Sequence, residues 1–238
     1  MKIKKFISRD MLKVIAVVAM FIDHAVAVFV DSQSSFYMIG RNIGRIAYPI
    51  FVLMFIEAAY YSKRPWRHII DLLIFGILSE PFFNRCFSSR HEWCYPDGQN
   101  VMFSWALAFV CIILVKKIWD VSKEDKLSFT LLSGVCAYFF AMIALYAKVD
   151  YSILAVIIPV AGYITFSILP SHNRLATMGV VVVLNLLQGL PSVLLPFIPV
   201  IFYDEDKRNK HQSLIGKYWF YAFYPIHLAI FSVILYFV

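Results

Sequence analysis

The chain has 238 residues, of which 61% are hydrophobic, 17% aromatic and 16% charged, with a mean hydropathy of +0.72. A soluble domain of this length carries about 25% charged and about 45–50% apolar residues and leaves much of its surface wet, so an ordinary soluble enzyme is excluded. The net charge of +7 does not point to nucleic acid, because the Lys and Arg residues fall in short gaps between apolar runs rather than clustering on one face.

What is left is an all-α, polytopic membrane helical bundle. In chain order, apolar runs and polar breaks predict about nine transmembrane segments: Met11–Val30, Arg45–Tyr61, Trp66–Phe87, Gln99–Trp119, Leu127–Ala147, Tyr151–Leu169, Leu175–Leu187, Pro191–Tyr203 and Lys217–Val238. The seventh and eighth are short and joined by Gln188-Gly189-Leu190-Pro191; they read either as two tilted spans or as a re-entrant pair. Residues 1–238 read as a single integral-membrane domain. Alternate gaps collect 16 basic residues on the side of the N-terminus against 5 on the other, which places the N-terminus in the cytoplasm. Lys2–Lys5, the apolar run and Ala25-Val26-Ala27 imitate a signal peptide. Asp23-His24 stands directly before that cleavage site, however, and the run continues to Val30, so the segment reads as a retained first span.

Cys111 and Cys136 lie inside spans and read as packing residues. Cys86 and Cys94 bracket an outer loop, where an oxidising compartment would allow a disulfide. No CxxC or paired-His spacing points to a metal.

An ionisable group in the bilayer interior costs about 2.5–3.5 kcal/mol on insertion scales, so each one asks for a reason. Asp23-His24 is the clearest: His24 lies 11 residues beyond Lys13, about 17 Å along a helix. His227 lies 10 residues beyond Lys217, about 15 Å along its span. Glu80 follows Trp66 by 14 residues, Arg45 opens the second span and Gln99-Asn100 opens the fourth. All fall between mid-membrane and the outer boundary, which suggests a partly hydrated, outward-facing cavity. Neighbouring helix side chains diverge by about 100°, so Asp23 does not orient His24. Arg45 is the expected partner of Asp23, and Glu80 a candidate to orient His24. Glu57 is expected in the inner half of its span, facing cytosolic solvent or pairing with a loop Lys, and Asp71 reads as interfacial. Taken alone, His227 reads as a hydrogen-bonded packing residue. No Gly-rich phosphate loop, zinc motif or Ser-His-Asp order is present.

These residues stand in a recognisable order: Leu12-Lys13-Val14-Ile15-Ala16, Met20-Phe21-Ile22-Asp23-His24, Ile39-Gly40-Arg41, Gly44-Arg45-Ile46-Ala47-Tyr48-Pro49-Ile50-Phe51 with Glu57, Ser79-Glu80-Pro81-Phe82, Gln99-Asn100-Val101, Asp150-Tyr151, and Lys217-Tyr218-Trp219-Phe220-Tyr221-Ala222-Phe223-Tyr224-Pro225-Ile226-His227-Leu228. Over nearly its whole length the sequence resembles the TraX family, whose founding member is known as the conjugative pilin acetylase. It departs from the family pattern at Ser104-Trp105 and Tyr203-Asp204-Glu205. The family looks like a relative of the integral-membrane acyltransferase-three proteins and the lysosomal heparan acetyltransferase, which use a first-span His and acetyl-CoA.

The resemblance implies a multi-pass acetyltransferase of the bacterial cytoplasmic membrane. Acetyl-CoA would be the donor, from the cytosol, and a protein, glycan or lipid acceptor would be reached from the outer face. Membrane lipids are the remaining partner; neither nucleic acid nor a metal is implied. His24 matches the catalytic position, with Asp23 and Glu80 beside it in that role. Arg41, Arg45, Glu57, Gln99, Asn100, Tyr224 and His227 are the implied substrate-binding positions. A neutral imidazole would act as general base or carry a transient acetyl group. Lys63-Arg64, Arg67 and Lys116-Lys117 are placed to meet the CoA phosphates. Two other classes remain open: a small-molecule transporter, and a non-catalytic membrane assembly factor whose polar residues serve as helix glue.

Overall fold

The computed structural model describes residues 5–96, 98–122, 125–169, 173–186, 194–204 and 214–237. The described residues form ten helices: α1 (Arg9–Phe29), α2 (Ser35–Gly44), α3 (Ala47–Tyr61), α4 (Pro65–Phe87), α5 (Val101–Val121), α6 (Lys126–Tyr146), α7 (Leu154–Ile168), α8 (Arg174–Asn185), α9 (Phe197–Ile201) and α10 (Leu214–Phe237). The joint Gln188–Pro191, Glu205 and the basic residues at 2, 4, 123, 207, 208 and 210 lie outside the described residues.

The starts of these helices follow from local chemistry. Ser8, Ser34, Asn100, Asp125 and Asn173 each accept a backbone N–H of the first turn through a side-chain oxygen, satisfying donors that lack an intrahelical partner. At α4, Pro65 occupies the first turn, where a missing N–H costs nothing.

Among the described residues five stretches are long and apolar enough to cross a membrane: Arg9–Phe29, Ser35–Tyr61, Val101–Val121, Lys126–Tyr146 and Tyr218–Phe237. The side chains agree with that reading. On α6 Leu127, Leu131, Leu132, Val135, Tyr138 and Phe139 are all exposed, and α4 carries a similar stripe of Ile70, Leu73, Ile74, Ile77 and Leu78. Apolar faces of this extent are unstable in water and at rest in hydrocarbon. By contrast α9 spans five residues, about 7.5 Å.

One expectation fails in an instructive way. The stretch before Arg45 was expected to connect two spans, but residues 35–44 are helical. Ser34 caps this helix, and it continues into α3 after a two-residue break at Arg45-Ile46.

The chain divides into two compact units, Met1–Ile56 with Ile164–Phe220, and Glu57–Tyr163 with Tyr221–Val238. In the first, Ile7, Leu12, Ala16, Ile50, Met54 and Tyr203 form one buried cluster, and Leu53, Met178, Val182 and Val200 another. A short parallel bridge joins Ile7 and Tyr203, with the Asp204 N–H donating to the Ile7 carbonyl at 2.8 Å. In the second unit α4 and α6 pack against α5, whose Ala108, Phe109, Cys111, Ile112 and Val115 are almost fully enclosed.

Candidate functional site

In the first unit the charged residues of α1 and α2 meet. The Arg41 Nη1 lies 2.8 Å from Asp23 Oδ2 and 3.5 Å from the Asp23 carbonyl oxygen. Arg41 is therefore the ion partner of Asp23. Arg45, the expected partner, stands four residues further on, within electrostatic reach of the carboxylate but not bonded to it. Arg41 wins because it faces α1 one turn before the helix break, whereas Arg45 is the C-cap of α2.

Two glycines allow this pairing. A Cβ at Gly44 would overlap the Asp23 side chain, and one at Gly40 would overlap Val26. The spacing Gly40-x-x-x-Gly44 presents both on one face of α2, and small residues at this spacing let helix backbones approach closely in a membrane. The Asp23 carboxylate fills the space that a side chain at position 44 would need. His24, the next residue of α1, is half-buried, and its side chain leaves the helix about 100° from that of Asp23.

A different kind of polar cluster lies in the second unit. Asn100 is fully buried and satisfies several groups at once. Its Oδ1 accepts the Met102 N–H at 2.9 Å, its Nδ2 donates to the Gly76 carbonyl at 2.8 Å and to Glu80 Oε2, and its own N–H donates to the same carboxylate oxygen at 3.1 Å. Glu80 is thus engaged with α5 through Oε2. The Gln99 N–H donates to the Lys148 carbonyl at 3.0 Å and its carbonyl accepts the Asp150 N–H at 2.9 Å. Ser104 donates its hydroxyl to the Asp150 carbonyl at 2.6 Å. Tyr224, 2% exposed, accepts the Val101 N–H and lies within electrostatic reach of Asp150 and Glu80.

His227 is 2% exposed and its Nδ1 lies 2.7 Å from the Phe223 carbonyl. A carbonyl only accepts, so Nδ1 carries the proton. The ring stacks on Phe223 at 5.0 Å and meets Tyr224 and Phe231 edge-on, which is the geometry of a packing histidine. Glu57, expected to face cytosolic solvent or to pair with a loop Lys, is 1% exposed and so does not face solvent; Asp71, expected at the interface, is buried as well. Cys86 and Cys94 are unpaired. The Cys86 thiol is buried against α10, 3.4 Å from the Ser232 hydroxyl, while Cys94 is exposed.

Sequence reasoning missed His68, whose Nδ1 lies 3.2 Å from the Tyr221 hydroxyl and whose ring stacks on Phe109. A partner 153 residues away leaves no local trace. It also missed the contact role of Gly40 and Gly44, whose small-residue spacing was a usable signal.

These features define an all-helical protein whose membrane-crossing helices carry the Asp23–Arg41 ion pair and several buried hydrogen-bonding side chains. The TraX protein family matches residues 8–235, and the chain belongs to that family. It is also similar to the probable fimbrial assembly protein FimC, serogroup H1, of Dichelobacter nodosus, with 27% identity over 233 residues, covering 92% of each chain. No solved structure matches it.

Proposed function

We propose that the protein is a multi-pass acetyltransferase of the bacterial cytoplasmic membrane, with its N-terminus in the cytoplasm. It moves an acetyl group from acetyl-CoA to a protein, glycan or lipid acceptor. The observation that carries this reading is the α1–α2 hairpin, where the half-buried His24 stands beside an ion pair locked against Gly44. TraX membership over residues 8–235 supports it.

The chemistry balances without further groups. As the acceptor amine or hydroxyl attacks the thioester carbon, the neutral His24 imidazole takes its proton. The C–S bond then breaks, and the departing CoA thiolate recovers that proton from the imidazolium. Asp23 and Arg41 hold the hairpin that carries the ring. Lys63, Arg64, Arg67, Lys116 and Lys117 are all exposed and supply positive charge for the CoA phosphates. The test is incubation of membranes with isotope-labelled acetyl-CoA and identification of labelled products by mass spectrometry. His24→Ala should abolish labelling at unchanged protein level; full labelling by that variant removes the mechanism.

The name of the Dichelobacter nodosus relative favours a second reading, assembly of a fimbria-like partner. Here substitution of His24 would leave assembly intact, while loss of the Asp23–Arg41 pair would reduce it in proportion to the loss of folded protein.

A further inference from the structure

The α1–α2 hairpin holds two guanidinium groups for one carboxylate. Arg41 occupies Asp23 Oδ2 at 2.8 Å, which leaves Arg45 within electrostatic reach of the carboxylate but with no counter-ion at bonding distance among the described residues. The Arg45 Nε is buried and finds no hydrogen-bond acceptor among the described residues. Its position compounds the imbalance. Arg45 sits at the interruption between α2 and α3, inside the apolar stretch Ser35–Tyr61 and ten residues from Ser35, about 15 Å along the helix. A cation without a bonded partner at such depth is costly and marks function.

We propose that Arg45 is the oxyanion-binding residue of acyl transfer. This rests on the acetyltransferase reading above and assigns different work to the two arginines, Arg41 holding the hairpin and Arg45 holding the reacting carbonyl. When the acceptor nucleophile adds to the thioester, the C=O π pair moves onto oxygen. The Arg45 guanidinium donates hydrogen bonds to that oxyanion until the C–S bond breaks and the carbonyl re-forms. A fixed donor aimed at developing charge in a low-dielectric site is worth about 10²–10³ in kcat.

The test uses purified full-length protein in lipid nanodiscs, comparing wild type with Arg45→Gln, Arg45→Lys and Arg41→Gln. Expected for Arg45→Gln is a fall in kcat of about 100-fold or more, with the KM for acetyl-CoA and the melting temperature little changed. Arg45→Lys should recover part of the rate. Arg41→Gln should lower the melting temperature. A second readout does not depend on turnover. Methylphosphonate, a tetrahedral anionic analogue of an acetyl group under attack, should raise the melting temperature of wild type and of Arg41→Gln, but not of Arg45→Gln.

An Arg45→Gln protein that keeps both its kcat and its response to methylphosphonate overturns the inference. So does one that melts as early as an Asp23 variant, since Arg45 would then be a second strut for the free Asp23 Oδ1. If wild type transfers no acetyl group yet Arg45→Gln alone loses the methylphosphonate response, the anion site stands and the acetyltransferase reading falls.

Discussion

The two histidines of the membrane-crossing helices sit in opposite surroundings. In the first unit His24 is half-buried, next in sequence to a salt bridge between two helices that touch through glycine. In the second, His227 is 2% exposed, bonded to the carbonyl of its own helix four residues back and enclosed by aromatic rings. Depth along the helix is similar for the two, so depth does not separate a reactive imidazole from a packing one. The number and kind of neighbouring groups does. The same contrast runs through the acidic residues: Asp23 is held by a charge, Glu80 by the amide and backbone of Asn100.

The comparison is broken most directly by exchanging the roles. His24→Ala should lower acetyl transfer by about 10²–10⁴-fold with the melting temperature in nanodiscs nearly unchanged. His227→Ala should do the reverse, losing about 3 kcal/mol of stability through the cavity it leaves while the activity per folded molecule is kept. Equal activity losses in the two variants would erase the distinction.

The ion pair gives the next largest effect. Asp23→Asn leaves Arg41 facing a neutral group and should cost about 1–3 kcal/mol, less than a fully enclosed pair, because the two side chains remain 16% and 25% exposed. Gly44→Leu should cost a similar amount by overpacking against Asp23, and the double variant should cost less than the sum. Additive losses would show that Gly44 and Asp23 are not in contact.

In the second unit Asn100→Leu removes the α5 cap and the side-chain donor to Glu80, and should cost about 1–3 kcal/mol; an unchanged unfolding midpoint would argue against that network. The smallest effect belongs to the cysteines. Cys94→Ser should shift stability by no more than about 0.5 kcal/mol. A membrane-impermeant maleimide should label Cys94 in the native protein, and Cys86 only after unfolding. Protection of both thiols that a reductant removes would indicate a disulfide instead.

Much of the fold was legible in the sequence because hydrocarbon imposes one simple demand: backbone polar groups must be satisfied within the segment, so long apolar runs are helices. Composition and run length therefore located α1, α4, α5, α6 and α10, and polar residues within runs singled out Asp23, His24, Glu80 and Asn100 as positions needing an explanation. Helix α2 escaped because its Arg41 and Asn42, with Arg45 at its C-cap, lower local hydropathy enough to resemble a connection. What only the tertiary structure decided was partnership. Arg41 rather than Arg45 takes Asp23, Asn100 takes Glu80 Oε2, and Glu57 and Asp71 are buried. Residues 18 or 20 positions apart meet only when two helices have approached at a particular rotation. That rotation is set by contacts such as Gly44 on Asp23, whereas hydropathy reports depth and says nothing of which way a helix faces.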